Sequence, residues 1–290
     1  MAVIDEMKAG FARSTMLMKI IWINIAIFVA LRLVAISTMF TGHTLLIDTV
    51  LHWVELPSSP ALLITRPWTI ISYMFAQYDL IHILFNMLWL YWFGTMFRMC
   101  CTARQMMALY IIGGIAGGLL FIVAYNCLPV FIHSTGWLIG SSASVIAIVT
   151  ATAILMPDFR MHLFLIGAVS LKWIAIATIV LVLVGISGTN AGGEISHVGG
   201  ILAGALFATR LRKGHDITAG PNRVIDNIVN AFKGIRRPAP APRRTSTPRM
   251  SDADRRELDI ILDKIKKSGY SALTPAERKR LFDLSRNIRN

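Results

Sequence analysis

The sequence predicts an all-α polytopic membrane protein with six transmembrane helices and a cytosolic C-terminal helical hairpin. Three observations carry that prediction. The 290-residue chain is 55% hydrophobic and only 16% charged, with a mean hydropathy of +0.60. Such a chain has lipid as its main solvent. Its apolar residues come in runs suited to a hydrocarbon core about 30 Å thick. The net charge of +13 is not spread evenly. Lys and Arg gather in alternate connections and in the tail, the bias of cytosolic loops. That placement excludes a nucleic-acid reading of the charge and makes anionic lipid the expected partner of the basic tail.

The spans are expected over residues 20–36, 80–97, 106–128, 137–156, 173–186 and 195–209. Arg32 interrupts the first near its outer end, where it can snorkel to the headgroups. Residues 41–65 are partly amphipathic and broken by Pro57 and Pro60, so short interfacial helices are expected there. The third span carries Gly113-Gly114 and Gly117-Gly118, small-xxx-small pairs that let helices approach closely. The fourth stops at Pro157. Residues 163–171 are too few to span and read as an inner interfacial loop.

Orientation follows from Lys and Arg. Lys8, Arg13 and Lys19 precede the first span, and Arg98 and Arg104 separate the second and third. Arg160 and Lys172 separate the fourth and fifth, and Arg210, Arg212 and Lys213 follow the sixth. The other connections hold Arg66 beside acidic Asp48, Glu55, Asp79 and Glu194. Both termini are therefore expected in the cytosol. The six spans make the chain an expected multi-pass integral membrane protein. Residues 1–14 are of mixed charge with no cleavage site after the first apolar run, so no signal peptide is expected.

Three parts are expected: a membrane domain over 1–213, an amphipathic helix and basic Pro/Arg-rich linker over 214–250, and a small helical hairpin over 251–290. In the last, Leu258, Ile261, Leu262 and Ile265 form one helical stripe, Ser268-Gly269 ends it, and Thr274-Pro275-Ala276-Glu277 opens a second helix as a capping box. Cys100, Cys101 and Cys127 offer neither a disulfide framework nor metal-ligand spacing. No metal and no cofactor is expected.

Polar residues inside the spans point to function. Gly140-Ser141-Ser142-Ala143-Ser144 lies within the fourth apolar run. Counting at about 1.5 Å per residue from the inner anchors puts Ser142 about 21 Å up, His197 about 20 Å, Asn86 about 18 Å and His82 about 24 Å. Alone, each fits ordinary packing or an interhelical hydrogen bond. At one depth they supply acyl-transfer chemistry. A serine hydroxyl needs a base, and His197 is the only histidine in the sixth span. Ser141 and Ser144 point about 100° and 200° away from Ser142 round the helix, so one serine of the three can face His197. His82 and Asn86 share a helix face as i,i+4 neighbours and bring N–H groups for an oxyanion. Ser142 N–H can join them if the fourth helix begins near Gly140. No Asp or Glu is counted at this depth, so a Ser-His dyad is expected rather than a triad.

The pattern resembles the rhomboid family of intramembrane serine proteases. It rests on Arg66-Pro67-Trp68, His82-x-x-x-Asn86, Gly140-Ser141-Ser142-Ala143 and His197-x-x-Gly200-x-x-x-Gly204, in that order, over residues 18–213. The resemblance implies Ser142 as nucleophile, His197 as base, and His82 and Asn86 as oxyanion donors. It implies a single-span membrane protein as substrate, cut near the outer leaflet after a small residue. Three departures stand out. Ala143 replaces the commoner second glycine, Ile146 stands where an aromatic ring often stacks on the catalytic histidine, and Gln77 occupies a position often held by a structural histidine. Two other classes are weighed. An inactive rhomboid-like protein that binds membrane clients would usually lack the serine or the histidine. A small transporter using His82, Asn86 and His197 as a relay would show internal repeats or carboxylates in its spans.

Overall fold

In lipid the backbone must satisfy its own hydrogen bonds, so apolar runs become helices. The structure, a computed structural model, describes residues 10–11, 14–42, 45–163, 167–188, 190–223 and 252–281. The chain divides into two compact units, Met1–Ile228 and Val229–Asn290.

Helix α1 (Met16–Thr41) opens on Thr15, whose hydroxyl accepts from Met18 N–H, and closes at Gly42 in the left-handed region. Helix α2 (Leu45–Val54) and the short α3 (Pro60–Thr65) and α4 (Thr69–Ser72) follow. The Arg66-Pro67-Trp68 turn ties this segment together. Arg66 Nη1 donates to His52 O at 2.8 Å and Trp68 Nε1 to Trp53 O at 2.9 Å. Helix α5 (Leu80–Cys100) is capped by Asp79, which accepts from His82 N–H at 2.7 Å. Helix α6 (Ala103–Cys127) starts with a Thr102/Gln105 capping box. The bundle is completed by α7 (Ser142–Leu155), α8 (Leu171–Gly185) and α9 (Ala191–Arg212). Among the described residues, α1, α5 and α6 are long and apolar enough to cross a membrane, while α7 and α8 are shorter apolar helices.

Two expectations are corrected. Residues 137–156 are not one helix. Trp137–Leu138 forms strand β2, antiparallel to β1 (Leu56–Pro57), with Leu56 opposite Leu138. The helix starts only at Ser142 because Gly140 sits at φ +129°, where side-chain-bearing residues rarely go, and donates its N–H to Tyr73 O at 3.0 Å. The segment expected as an interfacial loop over 163–171 belongs instead to a hairpin of β3 (Arg160–Leu163) and β4 (Gly167–Ser170), followed directly by the next helix.

The helices at the centre approach through small residues. Gly113 and Gly117 of α6 face Ala147 and Ala143 of α7. Gly200 and Gly204 of α9 lie against the carbonyls of Ala143 and Ala147. A side chain at either would strike backbone, so this seam fixes α9 against α7. Outward faces stay apolar: Leu202 is 60% exposed, while Asn24 is 0% and Gln77 1% exposed. An apolar exterior suits a lipid surround.

The second unit contains α10 (Asp252–Ser268), a stop at Gly269, a turn over Tyr270–Ala272 and a helix over residues 275–281. Ile261 and Leu273 are buried. Thr274 N–H donates to Glu277 Oε2 at 2.7 Å and Glu277 N–H to Thr274 Oγ1 at 3.3 Å, a capping box. Of the amphipathic helix and linker expected over 214–250, residues 224–250 lie outside the described residues.

Candidate active site

Ser142 is the first residue of α7, set there by the Gly140 turn. A Cβ on Gly140 would stand 3.4 Å from His82 Cε1 and 4.0 Å from Ser142 Oγ, so the glycine lies between the two side chains. As a first-turn residue, Ser142 has a backbone N–H without an intrahelical acceptor. Its hydroxyl lies 2.7 Å from His197 Nε2 of α9. The other two serines are turned away. Ser141 Oγ accepts from Gln77 Nε2 at 3.1 Å, and Ser144 Oγ is buried beside Gly114 with no hydrogen-bond partner among the described residues. Helix phase alone allowed one serine to face His197, and that serine is Ser142.

His197 makes a second contact. Its Nδ1 lies 2.9 Å from Glu194 Oε2, one turn earlier on α9. This corrects the expectation that no carboxylate reaches the depth of the serine. Helix α9 begins at Ala191, four residues before the expected start of the span, so Glu194 belongs to its first turn rather than to an outer connection. The signal was present in the sequence as Glu194-x-x-His197, a spacing that puts both side chains on one face.

His82 and Asn86 line the same cavity, of about 290 Å³, together with Ser142, His197 and Glu194. Its remaining wall is largely apolar, with Trp89 and Ile146 on one side and Leu181 and Val182 of α8 on the other. The Asn86 amide is held from behind. Asn86 Nδ2 donates to Gln77 Oε1 at 2.8 Å, and Gln77 Nε2 donates to Asn24 Oδ1 at 3.0 Å as well as to Ser141. Asn24 Nδ2 donates to Tyr110 OH at 3.2 Å, and Tyr110 OH donates to Met74 O at 2.6 Å. The amides of Asn24, Gln77 and Asn86 each have their orientation fixed by a neighbour. The second Asn86 N–H is left for the cavity. The sequence offered no sign that Asn24 and Tyr110 serve this network, since the contacts join α1, α5, α6 and the start of α7 through the connection before α5. Among the described residues no group of three His, Cys, Asp or Glu is placed to hold a metal.

A family model described as Rhomboid domain matches residues 65–214. The chain belongs to the rhomboid family. Rhomboids are generally serine intramembrane proteases, with inactive homologues among them, and the membership makes this chain an integral membrane protein whose expected partners lie in the bilayer. The match covers α4 to α9 and thus every side chain of the cavity. A second model, described as Family of unknown function (DUF6576), matches residues 251–287. A search of curated proteins gives no match to the chain.

Proposed function

We propose that this rhomboid is an active intramembrane serine endopeptidase, in which Ser142 attacks and His197 acts as base. The observation that carries the reading is the 2.7 Å contact between Ser142 Oγ and His197 Nε2 in a cavity shared with His82 and Asn86. Nδ1 faces a carboxylate oxygen, which accepts, so Nδ1 carries the hydrogen and Nε2 is the acceptor for the serine proton. As Oγ bonds to the scissile carbonyl carbon, Nε2 takes that proton. The oxyanion then receives hydrogen bonds from Ser142 N–H, from the His82 ring and from the free Asn86 N–H. The imidazolium passes its proton to the leaving amine. A water entering the cavity repeats the sequence on the acyl-enzyme ester and restores Ser142.

Six crossings, by α1 and α5 to α9, with both termini cytosolic fit the Lys/Arg bias. The cavity then lies nearer the outer leaflet, and the substrate is a transmembrane segment cut there. The basic tail, facing the cytosol of a bacterial plasma membrane, meets anionic lipid.

The test is cleavage of a single-span substrate by the purified full chain in proteoliposomes. Wild type should cut, and Ser142→Ala should not, at equal melting temperature. A folded wild type that binds substrate and never cuts it would replace this reading with that of an inactive client-binding homologue.

A further inference from the structure

The proposed chemistry uses one nitrogen of His197. The other is engaged by Glu194. Glu194 Oε2 sits 2.9 Å from Nδ1, and the two side chains are only 15% and 22% exposed for His197 and Glu194 respectively. An acid within a span needs a reason, since moving it from water into a membrane protein is unfavourable unless it is partnered.

Its surroundings are built to receive it. Gly185, the last residue of α8, faces the Glu194 side chain. A Cβ there would come within 2.7 Å of Glu194 Cδ and 2.8 Å of Cγ. The missing side chain on α8 is therefore the slot that holds the carboxylate. Glu194 also lies in the first turn of α9, where the unpaired N–H dipoles interact favourably with negative charge.

We infer that Glu194 is a positioning residue that turns the Ser142–His197 pair into a three-member relay, with Gly185 as its seat. The carboxylate fixes the Nδ1–H tautomer, so that Nε2 is always free to accept the serine proton. It also faces the positive charge that His197 acquires when Oγ attacks the carbonyl, and that charge exists only along the reaction path. The proton on Nδ1 stays on Nδ1 throughout. The inference rests on the reading of Ser142 and His197 as the reacting pair.

The experiment compares wild type with Glu194→Ala, Glu194→Gln, Glu194→Asp and Gly185→Ala as full-length chains in detergent. It reads kcat and KM on a transmembrane substrate, labelling by a fluorophosphonate serine probe, and melting temperature. Glu194→Ala and Glu194→Gln should lower kcat by on the order of 10²-fold or more, with KM within about twofold, because the lost interaction belongs to the transition state. Glu194→Asp, which keeps the charge, should recover part of the loss. Gly185→Ala alters no group in the relay, and the flexible Glu194 tip can yield to it. It should lower kcat by less than Glu194→Ala does while leaving the melting temperature in place. Wild-type kcat in Glu194→Gln, or a fall in kcat matched by a fall in melting temperature across the series, would overturn the positioning role. Failure of wild type itself to label would instead overturn the reading of the reacting pair, so the two outcomes are distinct.

Discussion

The two units of this chain both bury apolar side chains, but they differ in what they turn outward and in how much polarity they hold inside. In the membrane unit, polar side chains are inside and joined in one network: Asn24, Gln77, Ser141, Asn86 and Tyr110 are all buried and bonded to one another. Large apolar side chains such as Leu202 face outward. In the C-terminal unit Ile261 and Leu273 are buried, and charged pairs such as Lys264–Glu277 and Arg280–Glu257 lie at the surface. The same backbone element, an α-helix, is used in both. What changes is the solvent. In water an exposed ion pair contributes about 0–1 kcal/mol. In the membrane unit a polar group left without its partner has no water to turn to, so a lost contact there carries the penalty of an unsatisfied buried group, about 1–3 kcal/mol.

That contrast can be broken or sharpened by substitution. The largest effect is expected at His197. His197→Ala should reduce turnover on the order of 10⁴-fold or more, with little change in melting temperature, because the side chain lies at a cavity and not in the helix seam. Asn86→Ala comes next. If its free N–H serves the oxyanion, turnover should fall on the order of 10²–10³-fold. A loss of turnover fully explained by a lower melting temperature would return Asn86 to a structural role. Gly200→Val tests the seam itself. Added bulk against the Ala143 carbonyl should destabilise by about 1–3 kcal/mol, and activity should fall together with melting temperature. Equal stability would mean that α9 can move off α7 freely.

The smallest effect belongs to the C-terminal unit. The Lys264 ammonium, then the Thr274 N–H, hold the Glu277 carboxyl down at about 2, from an ordinary value of 4.5. Its folded value lies below its unfolded one, so its stabilisation of the hairpin is fully present above the unfolded value and is lost as pH falls towards the folded one. The Thr274 amide resonance of the full chain should titrate near pH 2, and Glu277→Gln should abolish that titration. A midpoint near the ordinary value would mean that the capping box is open in solution.

Much of the membrane unit was legible because hydropathy and helical rise are one-dimensional. Counting from Arg98, Met156 and Arg210 put His82, Asn86, Ser142 and His197 at one level, and the structure brings all four to one cavity. The run 137–156 misled for the same reason. Hydropathy does not distinguish Trp137–Leu138 in a strand from the same residues in a helix, and the break depends on the backbone angle at Gly140. Glu194 was assigned to an outer connection because helix starts are poorly marked in sequence, and a shift of four residues moved it from loop to helix. The Gln77 network could not be read at all, because it joins Asn24, Asn86 and Ser141 across gaps of 53, 9 and 64 residues.

Three neighbouring serines could in principle react, and the chemistry depends on which one does. Ser141 is held by Gln77 and Ser144 is buried without a partner, while Ser142 alone meets a histidine. Fluorophosphonate labelling of the full-length chain in detergent, followed by mapping of the modified peptide, tests this directly. The adduct should lie on Ser142 and vanish in Ser142→Ala and in His197→Ala. An adduct on Ser141 or Ser144, or a folded wild type that takes no label, would contradict the account.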